Sequence, residues 1–392
     1  MKTRQGYDMR LFLITFLLVA LGLIMVFSAS QVIAREQFSS SFFFIQRHAI
    51  RVALGICCML VCMKIPFGVY RKMSLYILIL SIILLSAIFI WGREVRGAVR
   101  WLQVFNFVLQ PVEVAKYALI IFLSARIADS GERIADLKRG FLPLLGVVIM
   151  TALLVGFQPN LSNAVMIVLI SMAMMFIGGC RVRHLASFGA AVAAVGVPLM
   201  YSFPHVRERF MVLCDRGADL QGQGWQVNQS LIALGSGFIF GSGPGNGHQK
   251  YNFLPDAHTD FIYSIIGEEL GIIGTVSVLL LFVVLFNRAL RAAKRAPNSF
   301  GFLLAMGIGL SIFSTALINI SMTLGLVPVA GLPLPFVSYG GSSLITSMSA
   351  VGILLSISSK GRNPGGPKRH LTAEDGAEVV YARRTREKET AW

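Results

Sequence analysis

Long apolar runs separated by short polar links dominate the chain. Hydrophobic residues are nearly continuous over 11–30, 49–65, 74–91, 112–128, 140–157, 161–179, 185–203, 261–286, 302–326 and 341–358. Runs of this length match the roughly 20 residues an α-helix needs to cross a bilayer, so the pattern predicts about ten transmembrane helices. An even number puts both termini on the same side. The polar stretch 204–260 breaks the rhythm: it is too polar to cross and too long for an ordinary connection, so it should carry structure of its own. The expected organisation is an N-tail (1–10), a ten-helix membrane domain (11–358) with one large loop (204–260) between helices 7 and 8, and a flexible basic C-tail (359–392) that opens on Gly and Pro.

Composition agrees, with 55% hydrophobic and 14% charged residues among 392. A soluble domain carries about a quarter charged residues, so an all-α polytopic membrane protein is expected and a large soluble appendage is excluded. The net charge of +16 would suggest nucleic-acid binding in a soluble protein. Its distribution argues otherwise. With the N-terminus inside, 24 of the 35 Lys and Arg fall on cytoplasmic segments and 11 outside, which supports cytoplasmic termini and an outward-facing 204–260 loop. The first apolar run is longer than a signal-peptide core and lacks a clear cleavage site, so it reads as a retained helix. The five cysteines show neither disulfide nor metal spacing.

Ionisable groups near membrane depth are costly and therefore candidates for function. Glu113, Asp260, Glu268 and Glu269 qualify. Glu113 and Lys116 share one helix face just after Pro111, either as a neutralising pair or as a working one. Asp260 ends Leu254-Pro255-Asp256-Ala257-His258-Thr259-Asp260 at the mouth of the eighth span, where it could cap the helix or do chemistry. The glycine-rich run Gly241-Ser242-Gly243-Pro244-Gly245-Asn246-Gly247 could be a flexible turn or could cradle phosphate through its amides. Residues 332–343 mix helix breakers with small residues, as where irregular backbone is packed in protein or lines a cavity. Gly267 and Gly271 form a GxxxG, read as a packing groove. His48 and His184 read as interfacial residues.

Several of these stretches occur together in one known family. Arg100-Trp101, Gln110-Pro111-Val112-Glu113 with Lys116, Gln158-Pro159-Asn160, the glycine-rich loop ending Gln249-Lys250, His258-Thr259-Asp260-Phe261 and Ser338-Tyr339-Gly340-Gly341-Ser342-Ser343 follow one another as in the SEDS family, which the chain resembles from about residue 11 to 360. The wording around Gly267-Glu268-Glu269-Leu270-Gly271 is more similar to the division members than to the elongation ones. The family often has Ser where Val112 stands and Asp where Asn160 stands.

The resemblance implies a peptidoglycan glycosyltransferase that polymerises lipid II, an undecaprenyl-diphosphate-linked disaccharide peptide, at the outer face of the bacterial cytoplasmic membrane. It implies a class B penicillin-binding protein partner among other divisome proteins at the septum, with no nucleic acid, and an essential carboxylate at Asp260. A lipid II flippase or the elongation polymerase is the alternative. Outside the cell no nucleotide sugar is at hand, so the donor must carry its own leaving group. Joining sugars then requires a base for the acceptor hydroxyl, positioning, and neutralisation of the departing diphosphate. Asp260 is the expected base, since desolvation at an apolar boundary raises the basicity of a carboxylate. Lys116, Arg100 and Lys250 are the expected diphosphate ligands. Glu113 would orient Lys116 or share a divalent cation such as Mg2+ with Asp260, although no metal-ligand spacing calls for one. His258, Thr259, Ser338 and Tyr339 complete the expected substrate-binding set.

Overall fold

The computed structural model describes residues 6–95, 98–104, 107–202, 211, 222–251 and 253–360. Ten helices occupy the positions the apolar runs predict: α1 (Met9–Phe38), α2 (Phe43–Lys64), α3 (Phe67–Trp91), α4 (Pro111–Ser130), α5 (Leu142–Gly156), α6 (Leu161–Ile177), α7 (Val182–Ser202), α9 (Ile262–Arg295), α10 (Ser299–Thr323) and α11 (Gly341–Ser359). A further helix, α8 (Gln223–Ser236), lies in the long polar loop, which therefore has the structure of its own that its length called for. Residues 1–5, most of 203–221 and the C-tail from 361, including the expected flexible extension, lie outside the described residues.

Among the described residues, seven helical stretches are long and apolar enough to cross a membrane, and Leu161–Ile177 is a shorter apolar one. α4 differs because it carries Glu113, Lys116 and Arg126. Its burial explains how it tolerates them: almost every residue from Pro111 to Ala125 is shielded by protein, so α4 is a central post rather than a lipid-facing wall. α3 is the opposite case, with Ile79, Leu80, Ile83, Phe89 and Ile90 all exposed as a lipid-facing surface needs. α11 runs along α2 closely enough that a Cβ on Gly352 would sit 2.3 Å from the Met59 carbonyl oxygen. Small residues allow such contact where apolar surface alone drives little association.

Helix ends follow local chemistry. Asp8 caps α1 by accepting from the amides of Arg10 and Leu11 at 3.2 Å. Pro111 opens α4, where a missing amide costs nothing. Asn298 caps α10 through Gly301 N at 2.9 Å. One element departs from the predicted all-helical pattern. Between α3 and α4 the chain forms a small antiparallel sheet, β1 (Gly92–Val95), β2 (Ala98–Val104) and β3 (Phe107–Leu109), with Arg93 opposite Trp101 and Leu102 opposite Leu109. Its strands are too short to be told from a polar link by period alone.

Candidate active site

The Asp260 turn is built on three buried anchors, Leu254, Ala257 and Phe261. The carbonyl of Asp256, a residue with φ of 56°, collects three donors: Thr259 N at 3.0 Å, the Thr259 hydroxyl at 3.2 Å and Phe261 N at 3.3 Å. Asp260 follows, partly exposed. The cap position of α9 falls on the next residue, Phe261, which makes no side-chain cap bond. A Cβ on Gly331 would lie 3.8 Å from Asp260 Oδ2, which puts the carboxylate beside the irregular segment after α10.

That segment is joined to the turn in two places. Asn319, buried in α10, donates one amide hydrogen to the Asp260 carbonyl at 2.8 Å and the other to the Leu332 carbonyl at 2.7 Å. Tyr339 N donates to the His258 carbonyl at 3.0 Å. The Tyr339 ring is then surrounded: ring centroids of Phe44, His258 and His48 lie 5.4, 5.6 and 5.6 Å away, and the Arg51 guanidinium stands 4.6 Å over its face. His48 is fully buried in this packing, a correction to its interfacial reading. His184 is also buried, against Phe141.

The remaining predicted residues divide by position. Ser338 is buried, and its hydroxyl accepts from Leu334 N at 2.8 Å, so it closes the turn that presents Tyr339. Ser342 accepts from Gln110 N at 2.8 Å and donates to the Val108 carbonyl at 3.3 Å, tying the start of α11 to the start of α4. There Lys116 Nζ meets Glu113 Oε2 at 3.0 Å, both side chains almost wholly buried, and neighbouring Tyr117 bonds Ser347 at 3.2 Å. Arg100, on β2, donates to the Pro159 carbonyl and so links the sheet to the Gln158-Pro159-Asn160 stretch. Gln158 Nε2 in turn bonds the Leu85 carbonyl at 3.0 Å.

Lys250 sits differently from its predicted role. It is fully buried, and each of its three ammonium hydrogens has an acceptor: Gly245 O at 2.5 Å, Glu269 Oε1 at 3.0 Å and Ser28 Oγ at 3.1 Å. No donor is left over for a diphosphate in this arrangement. The glycine-rich loop is likewise no phosphate cradle here, because its amides already hold carboxylates. Gly245 N donates to Glu269 Oε2 at 2.9 Å, and His248 N and Gln249 N donate to Glu268 Oε1 at 2.6 and 3.2 Å.

The same loop fills a break in α9. Gly271 has φ of 66° and ψ of −162°, a conformation essentially reserved for glycine, which interrupts the helix. The turn around 238–243 enters the gap. Ser242 N and Gly243 N donate to the carbonyls of Glu268 and Glu269 at 2.9 and 3.0 Å, while Ile272 N and Ile273 N donate to the carbonyls of Phe238 and Ile239 at 2.9 and 3.3 Å. The groups orphaned by the break are thus satisfied, as apolar surroundings demand. The GxxxG glycines do separate work: Gly267 lies against Leu234 of α8, and Gly271 makes the break.

Sequence reasoning missed Asn319, Phe44, Arg51 and Ser28. Asn319 left the clearest sign, an amide within an apolar run. The aromatic and arginine positions of α2 become meaningful only once α2 is laid against α11. Among the described residues, no group of three or more His, Cys, Asp or Glu could hold a metal ion.

The chain was compared with known proteins. A family model described as "Cell cycle protein", covering FtsW, RodA and SpoVE, matches residues 9–363. A probable peptidoglycan glycosyltransferase FtsW of Trichlorobacter lovleyi is 39% identical over 354 residues, 90% of this chain and 93% of that protein. Stage V sporulation protein E of Bacillus subtilis is 38% identical over 353 residues, 90% and 96% of the two chains. Among solved structures, a chain from work on the structural coordination of polymerization and crosslinking by a peptidoglycan synthase complex superposes with a TM-score of 0.74 at 25% identity, over 90% of this chain and 97% of that one. The rod shape determining protein RodA of Thermus thermophilus gives a TM-score of 0.65 at 23% identity, over 91% and 98%, a likeness of fold.

Proposed function

Since the chain belongs to the FtsW/RodA/SpoVE family, we propose that it is a multi-pass membrane peptidoglycan glycosyltransferase that polymerises lipid II, with Asp260 as its general base. One observation carries the choice of base. Of the four acids near membrane depth, Glu113, Glu268 and Glu269 are buried and bonded to donors, whereas Asp260 is partly exposed. The turn that holds it is fixed to α10 by Asn319 and to the lead of α11 by the Tyr339 amide. A carboxylate on a rigid backbone, reachable from outside the protein, can take up a proton.

The reaction is a single displacement. An acceptor sugar hydroxyl attacks the anomeric carbon of the donor, its proton passes to the Asp260 carboxylate, and the bond from that carbon to the diphosphate breaks, releasing undecaprenyl diphosphate. One base serves, by analogy with inverting glycosidases. Arg100 and Lys116 neutralise the departing diphosphate, Arg100 by turning from the Pro159 carbonyl and Lys116 with the donors Glu113 leaves it. His258, Thr259 and Tyr339 shape the wall beside Asp260. A divalent cation such as Mg2+ bound with the diphosphate would supply further neutralisation, and Asp260 would be the carboxylate to meet it. The partner is a class B penicillin-binding protein, in keeping with the synthase-complex neighbour. Cytoplasmic termini, an outward 204–260 loop and a septal site in the cytoplasmic membrane complete the reading, supported by the 24-to-11 charge split.

The test is polymerisation of labelled lipid II by purified protein with and without a class B partner. Asp260→Asn should lower glycan synthesis by about 10²–10⁴-fold, the usual contribution of a general base, and leave thermal stability near wild type. A folded Asp260→Asn protein working at the normal rate overturns the assignment. Translocation of lipid II in vesicles without any glycan, partner present, would favour a transporter instead.

A further inference from the structure

At the end of the molecule that carries the N-terminus lies a cavity of about 260 Å³, walled by Arg10 from α1 and by Arg288, Arg291 and Arg295 from α9, with Tyr7 and Ser358 beside them. Basic residues are expected at a helix C-terminus and on a cytoplasmic flank. Those preferences do not account for the arrangement. Positions 288, 291 and 295 are three and four apart and so share one face of α9, and a fourth arginine converges on them from another helix.

Asp8 neutralises one of the four. Arg288 donates to Asp8 Oδ2 through Nε at 2.8 Å and through Nη2, while Asp8 also caps α1 and donates its own amide to Ser358 Oγ at 3.2 Å. Arg10, Arg291 and Arg295 are exposed and make no ion pair with the described residues. Three guanidinium charges around one small cavity repel one another, and an anion entering between them would relieve that repulsion. The guanidinium fork matches phosphate oxygens in pairs.

A second observation selects the kind of anion. On α1, Met9, Leu13 and Phe16 are exposed apolar residues on one face, at 69%, 55% and 53%. On α9, Val276, Leu280 and Val284 form a similar exposed strip that continues into Arg288 and Arg291. The two helices pack against each other. Apolar strips that run to a cluster of arginines fit a molecule with acyl chains and an anionic head. We infer that this cavity binds the phosphodiester headgroup of an anionic phospholipid, its acyl chains lying along the exposed strips of α1 and α9. The cavity is too small for a bulky ligand and suits a phosphodiester. This site is independent of the glycosyltransferase reading, since it requires only that the cavity meet a membrane surface.

The experiment is native mass spectrometry of the full chain in detergent, titrated with phosphatidylglycerol, with phosphatidylcholine and, separately, with inorganic phosphate as competitor. Phosphatidylglycerol should be retained more tightly than phosphatidylcholine. The double variant Arg291→Gln/Arg295→Gln should lose about tenfold or more of that retention, given the typical contribution of each basic residue near an anionic surface. The single variants Arg10→Gln and Arg291→Gln, which disturb folding less, should each lose several-fold. Equal retention of the two lipids, or unchanged retention in folded variants, overturns the proposal. Inorganic phosphate that displaces the lipid at low concentration assigns the cavity to a free anion and overturns the lipid assignment.

Discussion

The short upper segment of α9, from Ile262 to Leu270, has acids at both ends, and the two ends are built in opposite ways. Below it, Glu268 and Glu269 are buried and accept from backbone amides, a serine and a lysine, with nearly every polar atom answered from within the protein. Above it, Asp260 stands partly exposed on a turn whose backbone is anchored by Asn319. Both ends look alike in sequence, as carboxylates near an apolar run beside polar loops. What separates them is burial. The carboxylates enclosed among donors are part of the frame, and the partly exposed one on a pinned backbone is the proposed base.

The largest expected effect tests the frame. Lys250→Ala leaves Glu269 without its cation, and breaking a buried pair in this way should cost about 3–5 kcal/mol, read as a fall in the thermal unfolding midpoint of the purified protein. The double variant Lys250→Met/Glu269→Gln should recover much of it. Polymerisation per folded molecule should stay near normal. If Lys250→Ala protein proves stable but inactive, the contrast collapses and Lys250 returns to the reaction as a diphosphate ligand.

Next comes the break itself. Gly271→Ala places a Cβ 2.4 Å from the Ile239 carbonyl oxygen at a backbone conformation other residues scarcely visit, so about 1–3 kcal/mol of strain adds to displacement of the 238–243 turn. Faster hydrogen exchange at the amides of Ser242, Gly243, Ile272 and Ile273 would mark the loss. Wild-type protection there would show that the turn does not depend on the break.

How much of this was readable beforehand depends on the range of the interaction. All ten membrane helices follow from runs of apolar residues, because the bilayer imposes one length on every crossing. Asp260 was readable for a similar reason, as a charge at an apolar boundary. The 238–243 turn entering α9 was not, since it pairs residues about thirty apart in sequence, and bare glycine amides look the same whether they await a phosphate or a neighbouring glutamate. Lys250 was misread for the same reason: its acceptors, Ser28 and Glu269, come from two different helices. The three-stranded sheet was hidden by the shortness of its strands.

Two smaller effects sharpen the comparison further. Asn319→Ala removes both hydrogen bonds that fix the Asp260 and Leu332 carbonyls and should cost about 1–3 kcal/mol. Its distinguishing sign is a lower turnover with substrate affinity little changed, because the misplaced group is the proposed base; loss of stability alone would make Asn319 a packing residue. Glu268→Gln should be mildest, about 1 kcal/mol, since an amide oxygen can still accept from His248 N and Gln249 N. A large loss of activity in folded Glu268→Gln protein would place a working charge at the lower end too.

The break at Gly271 also bears on bilayer thickness. A straight α9 of 34 residues would be about 51 Å long at 1.5 Å per residue, far more than the roughly 30 Å of hydrocarbon it has to cross. The portion from Ile272 to Arg295 is about 36 Å long, and its last turns carry Arg288, Arg291, Lys294 and Arg295. Tilt of the lower portion is one way to match a thicker or thinner membrane, while Ile262–Leu270 is held by the loop lodged beneath it and the α8 side chains against it. The height of Asp260 is accordingly expected to be set by the protein's own packing and to respond little to hydrophobic mismatch.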